Sequence, residues 1–310
     1  MTKVSYKEIS EEESGQRIDN YLLCHLKGVP KSHIYRIIRS GEVRANKKRV
    51  RPDYRIQSGD VIRIPPVRLA EKSVLDWNGL QVGQRLLQTI LYEDERLMVI
   101  NKPSGIAVHG GSGLSFGVIE VLRQVRKDLH YLELVHRIDR ETSGCLVLAK
   151  KRSALRAIHR LLENRQVEKI YSALLYGRWH GRKQIRIEAA LEKNQLQSGE
   201  RMVRVSSEGK PACTDLYLVE NFSQACMIEA RPHTGRTHQI RVHCASIGQA
   251  IIFDDKYASN AQIDSLKQLP SRLYLHASEI RFTLGDRNYQ FKAPLDGKFM
   301  SAIQYLKSGS

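Results

Sequence analysis

One carboxylate held between two arginines is the group in this 310-residue chain best placed to do chemistry. It is Asp139, in the run His136-Arg137-Ile138-Asp139-Arg140-Glu141-Thr142-Ser143-Gly144. Arg137 and Arg140 favour the ionised carboxyl and would attract a polyanion. An Asp among arginines is also often a solvated ion pair that contributes little. The next residues argue for more than that. Cys145-Leu146-Val147-Leu148-Ala149 is wholly apolar, as a strand buried on both faces would be. The polar turn therefore lies at the edge of a rigid sheet, where a side chain can be aimed at a substrate.

Other residues offer weaker signals. His233, His238 and His243 are five apart, a spacing that scatters them around a helix and alternates them across a strand. A zinc site from these three is not expected. Arg231, Arg236 and Arg241 in the same segment suit phosphate or carboxylate recognition. The glycine-rich loop from Gly105 to Gly117 lacks the third glycine of a dinucleotide fingerprint, since Phe116 stands there, and has no Gly-Lys-Ser/Thr. It reads as a flexible, substrate-facing loop, with Lys102 and His109 available to phosphates. Tyr171 sits in an alternating strand pattern and by itself reads as a packing residue. The five cysteines are scattered without a Cys-x-x-Cys pair, so neither a disulfide framework nor a metal site is indicated, and Cys145 and Cys226 read as core thiols.

These residues need elements to carry them. Residues 1–14 read as a polar tail. Residues 15–68 form a basic unit with 13 Lys and Arg against 4 Asp and Glu. Ile18, Leu22 and Leu26 recur at helical spacing and stop at Gly28. Ser32 can cap a second helix that buries Ile34, Ile37 and Ile38 and ends at Gly41, with Arg36 and Arg39 on its other face. Strands at 42–45 and 60–64 follow, joined by the turn Asn46-Lys47-Lys48-Arg49. Pro65-Pro66 breaks regular structure, and 69–88 reads as a polar linker. A body from 89 to 306 then alternates strands with a few helices, one of them capped by Ser153. The expected class is α+β, the body built on a mixed, largely antiparallel sheet.

Composition narrows the partner. Lys and Arg number 50 against 33 Asp and Glu, a net charge of +17, which favours a polyanion: nucleic acid first, an anionic membrane surface second. No apolar run reaches 18 residues and the first 13 are polar and acidic, so neither a membrane span nor a secretory signal is expected and the cytoplasm is the default. Oligomeric state is unreadable, with a monomer as default.

The run around Asp139 resembles the catalytic motif of the large-subunit type of RNA pseudouridine synthases, where Leu is usual at the position of Ile138. Asn101-Lys102-Pro103-Ser104-Gly105, Glu168-Lys169-Ile170-Tyr171-Ser172-Ala173, the stretch from Thr234 to His243, Leu275-His276-Ala277 and Phe291-Lys292-Ala293-Pro294 are similar to the same family in the same order. The resemblance runs from about Gly15 to the C-terminus, and the basic unit resembles the S-four type of RNA-binding module. It implies site-specific conversion of uridine to pseudouridine in 23S ribosomal RNA, with the pre-ribosomal large subunit as partner and no cofactor or metal. It implies Asp139 as the catalytic group, Arg241 as its ion-pair partner and Tyr171 stacked on the target uracil, its hydroxyl taking part in the late proton removal. Arg137 would fill the gap left by a flipped-out base. Arg140, Lys102, His109, Arg236, His238, Arg36, Arg39, Lys47, Lys48 and Arg49 are the expected RNA contacts. Two other classes stay open on the residues alone: a non-catalytic ribosome assembly protein, and an RNA glycosidase that releases free uracil.

Overall fold

Ile18, Tyr21 and Leu22 lie on one face of α1 (Ile18–His25), and Ile34, Ile37 and Ile38 on one face of α2 (Lys31–Arg39), so the two helices bury a common seam. Pro30, not Ser32, occupies the N-cap of α2. This is the opening of a computed structural model that describes residues 3–26, 28–67, 77–110, 116–195 and 201–309. The chain divides into two units, Met1–Asp76 and Trp77–Ser310.

In the first unit, β1 (Ser5–Glu8), β2 (Arg44–Ala45), β3 (Lys48–Arg49) and β4 (Val61–Ile64) form a small sheet in the order β1-β4-β2-β3. The expected tail is thus partly a strand: β1 pairs antiparallel with β4, and Ile9 behind it is buried in the core. A four-residue strand of mostly exposed, charged side chains leaves no period to read. The expected four-residue turn is shorter than the sequence suggested. Asn46 and Lys47 alone make it, both with positive φ as a two-residue hairpin requires, and Lys48 and Arg49 pair back onto β2. Asn46 fixes the turn by donating to Asp60 (2.7 Å) and accepting from the Val61 amide (2.9 Å).

The second unit begins earlier than expected. Residues 69–76 of the expected linker lie outside the described residues, but α3 (Trp77–Leu87) is a helix packed on α4 (Val118–Val125). Gly79 and Gly83 lower its intrinsic helix propensity. Packing explains Gly83: a Cβ there would collide with Val125 and press on Val121.

One large sheet organises the rest. Its strands are β5 (Ile90–Glu93), β6 (Leu97–Lys102), β7 (Glu133–Leu134), β8 (Ser143–Ala149), β9 (Glu168–Tyr176), β10 (Gln184–Glu188), β13 (Cys213–Asn221), β14 (Ala225–Pro232), β15 (Leu275–Leu284) and β16 (Arg287–Lys292). They run in the order β10-β13-β14-β9-β15-β8-β6-β5, with β7 on β8 and β16 on β15, while β11 (Leu191–Gln195) and β12 (Arg201–Val205) form a separate hairpin. Only β8 and β15 pair in parallel, so the sheet is mixed and largely antiparallel. All seven residues of β8 are buried, as its apolar run requires. Cys145 on β8 and Cys226 on β14 are buried thiols. The helix α5 (Arg152–Glu163) packs on β8 and β15, with Lys151 rather than Ser153 at its N-cap. Near the other end of the sheet are α6 (Gln239–Ser246), α7 (Asn260–Ser265) and α8 (Gly297–Ser308), with Phe299 and Leu306 of α8 in the core beside Leu174 and Ile228.

Candidate active site

The turn that carries Asp139 connects β7 to β8, and hydrogen bonds hold it from several directions. Val135 donates to the Val147 carbonyl (3.0 Å), and Thr142 donates back to the Asp139 carbonyl (3.1 Å). Gly105 and the Lys102 ammonium both donate to the Arg140 carbonyl (3.0 Å each), and Ser104 donates to that of Glu141 (2.6 Å). His136 Nε2 accepts from the Val147 amide (3.1 Å), which requires the unprotonated nitrogen there. At the base of the turn, Gly144 has φ of 109°, and a Cβ would lie 2.6 Å from the Ala277 amide nitrogen. Only glycine lets β8 and β15 meet this closely.

Asp139 faces a cavity of about 730 Å³ whose lining includes Arg137, Tyr171, Arg236, His238 and Arg241. Its partner across the cavity is Arg241 on α6, but at 3.9 Å the contact is long. The tighter partner is Asp254, a residue that sequence reasoning missed. Arg241 donates to both Asp254 oxygens (2.8 and 2.6 Å) and to Asp255 (3.1 Å), and Asp254 is completely buried. Asp254 also accepts from the amides of Lys256 and Tyr257. This fork fixes the guanidinium plane and leaves the remaining nitrogen directed at Asp139. The signal in the sequence was faint: an acidic pair, Asp254-Asp255, directly after the apolar run from Ala250 to Phe253. A buried arginine needs such a carboxylate.

The turn before α6 is built by a buried glutamine. Gln239 accepts from the Thr234 hydroxyl (2.7 Å) and the Arg236 amide (3.0 Å), and donates to the Cys213 carbonyl and Thr214 hydroxyl (2.9 Å each). His238 stands at the N-cap of α6 in the left-handed region, with Nδ1 2.8 Å from the Tyr257 hydroxyl. Burial pushes its pKa down. The three histidines do not converge: His233 meets Asp215, and His243 is buried between Thr214 and the Ala189 carbonyl.

Tyr171 lies on β9 opposite Ala230, half-buried at the cavity. Burial and then the nearby Asp139 charge push its phenol well above the usual tyrosine range, so the hydroxyl stays protonated. His136 and Lys169 also line the cavity. Burial and the Lys169 ammonium push His136 down to about 3, and burial lowers Lys169. Arg137 is exposed at the cavity and has no hydrogen-bond or ion-pair partner among the described residues.

Several expected RNA contacts are elsewhere. Lys102 is not available to phosphates: it is completely buried, and its ammonium donates to the carbonyls of Pro103, Ile106 and Arg140. Burial pulls its pKa down to about 7. Arg140 does not neutralise Asp139; it is exposed, donates to the Gly105 carbonyl (3.0 Å) and approaches Glu141 (3.3 Å). His109 is outside the cavity lining, with Nδ1 2.9 Å from the Gly110 carbonyl, and 111–115 of its loop lie outside the described residues. Arg236 is exposed at the cavity and donates to the Pro211 carbonyl. In the first unit Arg36, Arg39, Lys47, Lys48 and Arg49 are all exposed, and Lys48 and Arg49 line a cleft of about 520 Å³ with Arg51. Asp19 and Asp60, two of the four acidic residues between 15 and 68, are buried in internal hydrogen bonds, so the surface of that stretch is more basic than its composition.

Comparison with known proteins identifies the family whose fold carries this site. The family model for RNA pseudouridylate synthase matches residues 96–246, and that for the S4 domain matches residues 16–62. Ribosomal large subunit pseudouridine synthase C of Haemophilus influenzae is 52% identical over 310 residues, covering 99% of this chain and 96% of the relative. The protein of the same name from Escherichia coli K12 is 49% identical over 306 residues, 97% of this chain and 96% of its own. Human RNA pseudouridylate synthase domain containing 4, a solved structure, superposes with a TM-score of 0.63 at 26% identity, over 75% of this chain and 98% of the human one. With an S4 domain ahead of this catalytic fold and half its residues shared over nearly full length, the chain belongs to the RNA pseudouridylate synthase family, isomerases that act on RNA.

Proposed function

We propose that this chain converts uridine to pseudouridine in 23S ribosomal RNA, with Asp139 as the catalytic carboxylate and the target uridine turned out of its helix into the cavity. The two bacterial relatives are called ribosomal large subunit pseudouridine synthase C, and they match 99% and 97% of this chain. The observation that carries the residue assignment is the meeting of Asp139, Arg241 and Tyr171, from three distant segments, at one cavity.

The reaction breaks the bond between ribose carbon-1′ and uracil nitrogen-1, turns the ring and rejoins it through carbon-5. Carbon-5 then loses its proton and nitrogen-1 gains one, so no atom is exchanged with a second substrate and no electron with a redox partner. Arg241, already forked onto Asp254, approaches one Asp139 oxygen without occupying both. One oxygen stays open to the substrate. The Tyr171 ring can stack on the uracil. Its neutral phenol is a poor base, so it could take the carbon-5 proton only while passing its own to another acceptor. Arg137, exposed at the cavity and without an ion-pair partner among the described residues, suits the space a flipped base leaves, where it would offset part of an unstacking cost of a few kcal/mol.

Nucleoside analysis of a 23S rRNA transcript treated with the protein tests the reading. Pseudouridine should appear with no free uracil. Release of uracil would make the protein a glycosidase, and binding without either product would make it an assembly factor.

A further inference from the structure

A second cavity, of about 590 Å³, adjoins the one at Asp139. It lies among the turn after α5, the start of β9, the β13–β14 pair and the β15–β16 hairpin. The two cavities share Arg165, Val167, Lys169, Pro232 and His233 as a common wall. Both volumes fall within the ~300–1,000 Å³ of ordinary ligand sites.

Three features suit this cavity to a nucleotide. The first is a stacking platform. The Arg231 guanidinium lies 5.0 Å above the Tyr217 ring, and both groups line the cavity. Arg231 is fixed there by Glu229 and Glu168 (2.7 and 3.3 Å), and Glu168 is shared with Arg281 (3.3 Å). A guanidinium and an aromatic ring held together in this way offer faces on which any base can stack.

The second feature is charge. Arg231 and Arg281 are each tied to carboxylates (Glu168 and Glu229; Glu168 and Glu279), which leaves Arg165 and Lys169 as the cations of the lining without an ion-pair partner among the described residues. Asp215 is already engaged by Arg186 (2.7 Å) and His233 (2.7 Å), and so repels an anion weakly. The third is Lys169 itself. It sits on the shared wall, two residues from Tyr171 along β9, and has no hydrogen-bond or ion-pair partner among the described residues. Gly235 leaves room before it: even a Cβ at 235 would stop 3.8 Å from the ammonium. A largely buried cation without a counter-ion is costly unless a ligand supplies one. A backbone phosphate that linked the occupants of the two cavities would lie against this shared wall, where Lys169 supplies the charge.

We infer that the second cavity holds the base of a nucleotide next to the target uridine, stacked on the Arg231–Tyr217 pair, with the intervening phosphate against Lys169. The inference rests on the proposed function and adds a requirement for one neighbour of the uridine.

The test uses short RNA stem-loops that carry one converted uridine, with the base removed from the nucleotide on its 5′ side, on its 3′ side, or from neither. For the wild-type protein, removal on one side should raise KM about tenfold, as loss of one stacked base does. In Tyr217→Leu, which keeps bulk but not the ring, the same abasic RNA should perform no worse than the intact one. Lys169→Met is close in volume and removes only the charge, so the fold should survive; its log affinity against log salt should be shallower by about one. Equal wild-type KM for all three RNAs would overturn the subsite, and an unchanged salt slope in Lys169→Met would overturn its phosphate contact. Failure of the wild type to convert the intact RNA would overturn the proposed function instead.

Discussion

Arg241 has one close partner and one distant one, and the difference sets how their variants should behave. Asp254 is buried in the fork, whereas the Asp255 side chain is 74% exposed. Asp254→Ala strands a buried guanidinium and should lower stability by about 3–5 kcal/mol in urea unfolding, with a loss of turnover. Asp255→Ala should change stability by less than about 1 kcal/mol. Equal effects would mean that the fork does not organise the site. His136 gives a pH prediction. Its pKa lies near 3 in the fold against 6.5 for the free group. Between those values the unfolded chain takes up a proton that the folded one refuses, so this group's share of stability falls as pH drops from about 6.5 towards 3. His136→Gln can still accept from the Val147 amide but cannot titrate. The stability gap between wild type and His136→Gln should narrow from pH 7 to pH 4, and a constant gap would contradict the assignment. At this scale the convergence of Asp139, Tyr171 and Arg241 on one cavity was legible through motifs that stand in the family's order, whereas residue type alone read Tyr171 as packing. Asp254 was not, because a lone carboxylate in a loop looks the same whether it is buried under an arginine or solvated.

Among the elements, the β7–β8 turn is held by hydrogen bonds to its backbone carbonyls, from the Gly105 amide, the Ser104 hydroxyl and the Lys102 ammonium. Lys102 shows the consequence: a lysine in a motif reads as a phosphate contact, yet here its ammonium joins three carbonyls beneath the turn. Periodicity reports which face of an element is apolar; it cannot report that a charged group will be pulled inside to satisfy loop carbonyls. The buried strand after the turn was legible from its unbroken apolar run. The close crossing at its first residues was not, since it depends on β15, more than a hundred residues later. Gly144→Ala tests that crossing. Positive φ costs about 1–2 kcal/mol and the clash with the Ala277 backbone adds about 1–3 kcal/mol, so the variant should lose roughly 2–5 kcal/mol and most activity. A variant as stable and active as wild type would show that β8 and β15 can separate without harm.

For the whole molecule, the net charge of +17 pointed to a polyanion, and the fold distributes part of that charge onto an S4 domain with its own core. The division into a basic unit and an α+β body was legible from composition and helical spacing. The edges were not: β1 and α3 depend on partners distant in sequence, and both carry weak local signals. If the hairpin of the first unit touches RNA, replacing Lys47, Lys48 and Arg49 together by alanine should flatten the salt dependence of rRNA binding. The log–log slope should fall by up to about three, one for each phosphate no longer neutralised. The chemical step in single turnover at saturating protein should be unchanged. An unaltered slope would remove the hairpin from the interface. The central claim, that this molecule forms pseudouridine in 23S ribosomal RNA through Asp139, is tested most directly by mapping pseudouridines in large-subunit rRNA from cells lacking the gene, complemented with wild type or with Asp139→Asn. A defined set of sites should be missing in the deletion, restored by wild type and still missing with an Asp139→Asn protein that accumulates to the same level and binds the rRNA. Restoration of those sites by Asp139→Asn, with reversion to Asp excluded by sequencing and by peptide mass, would contradict the account.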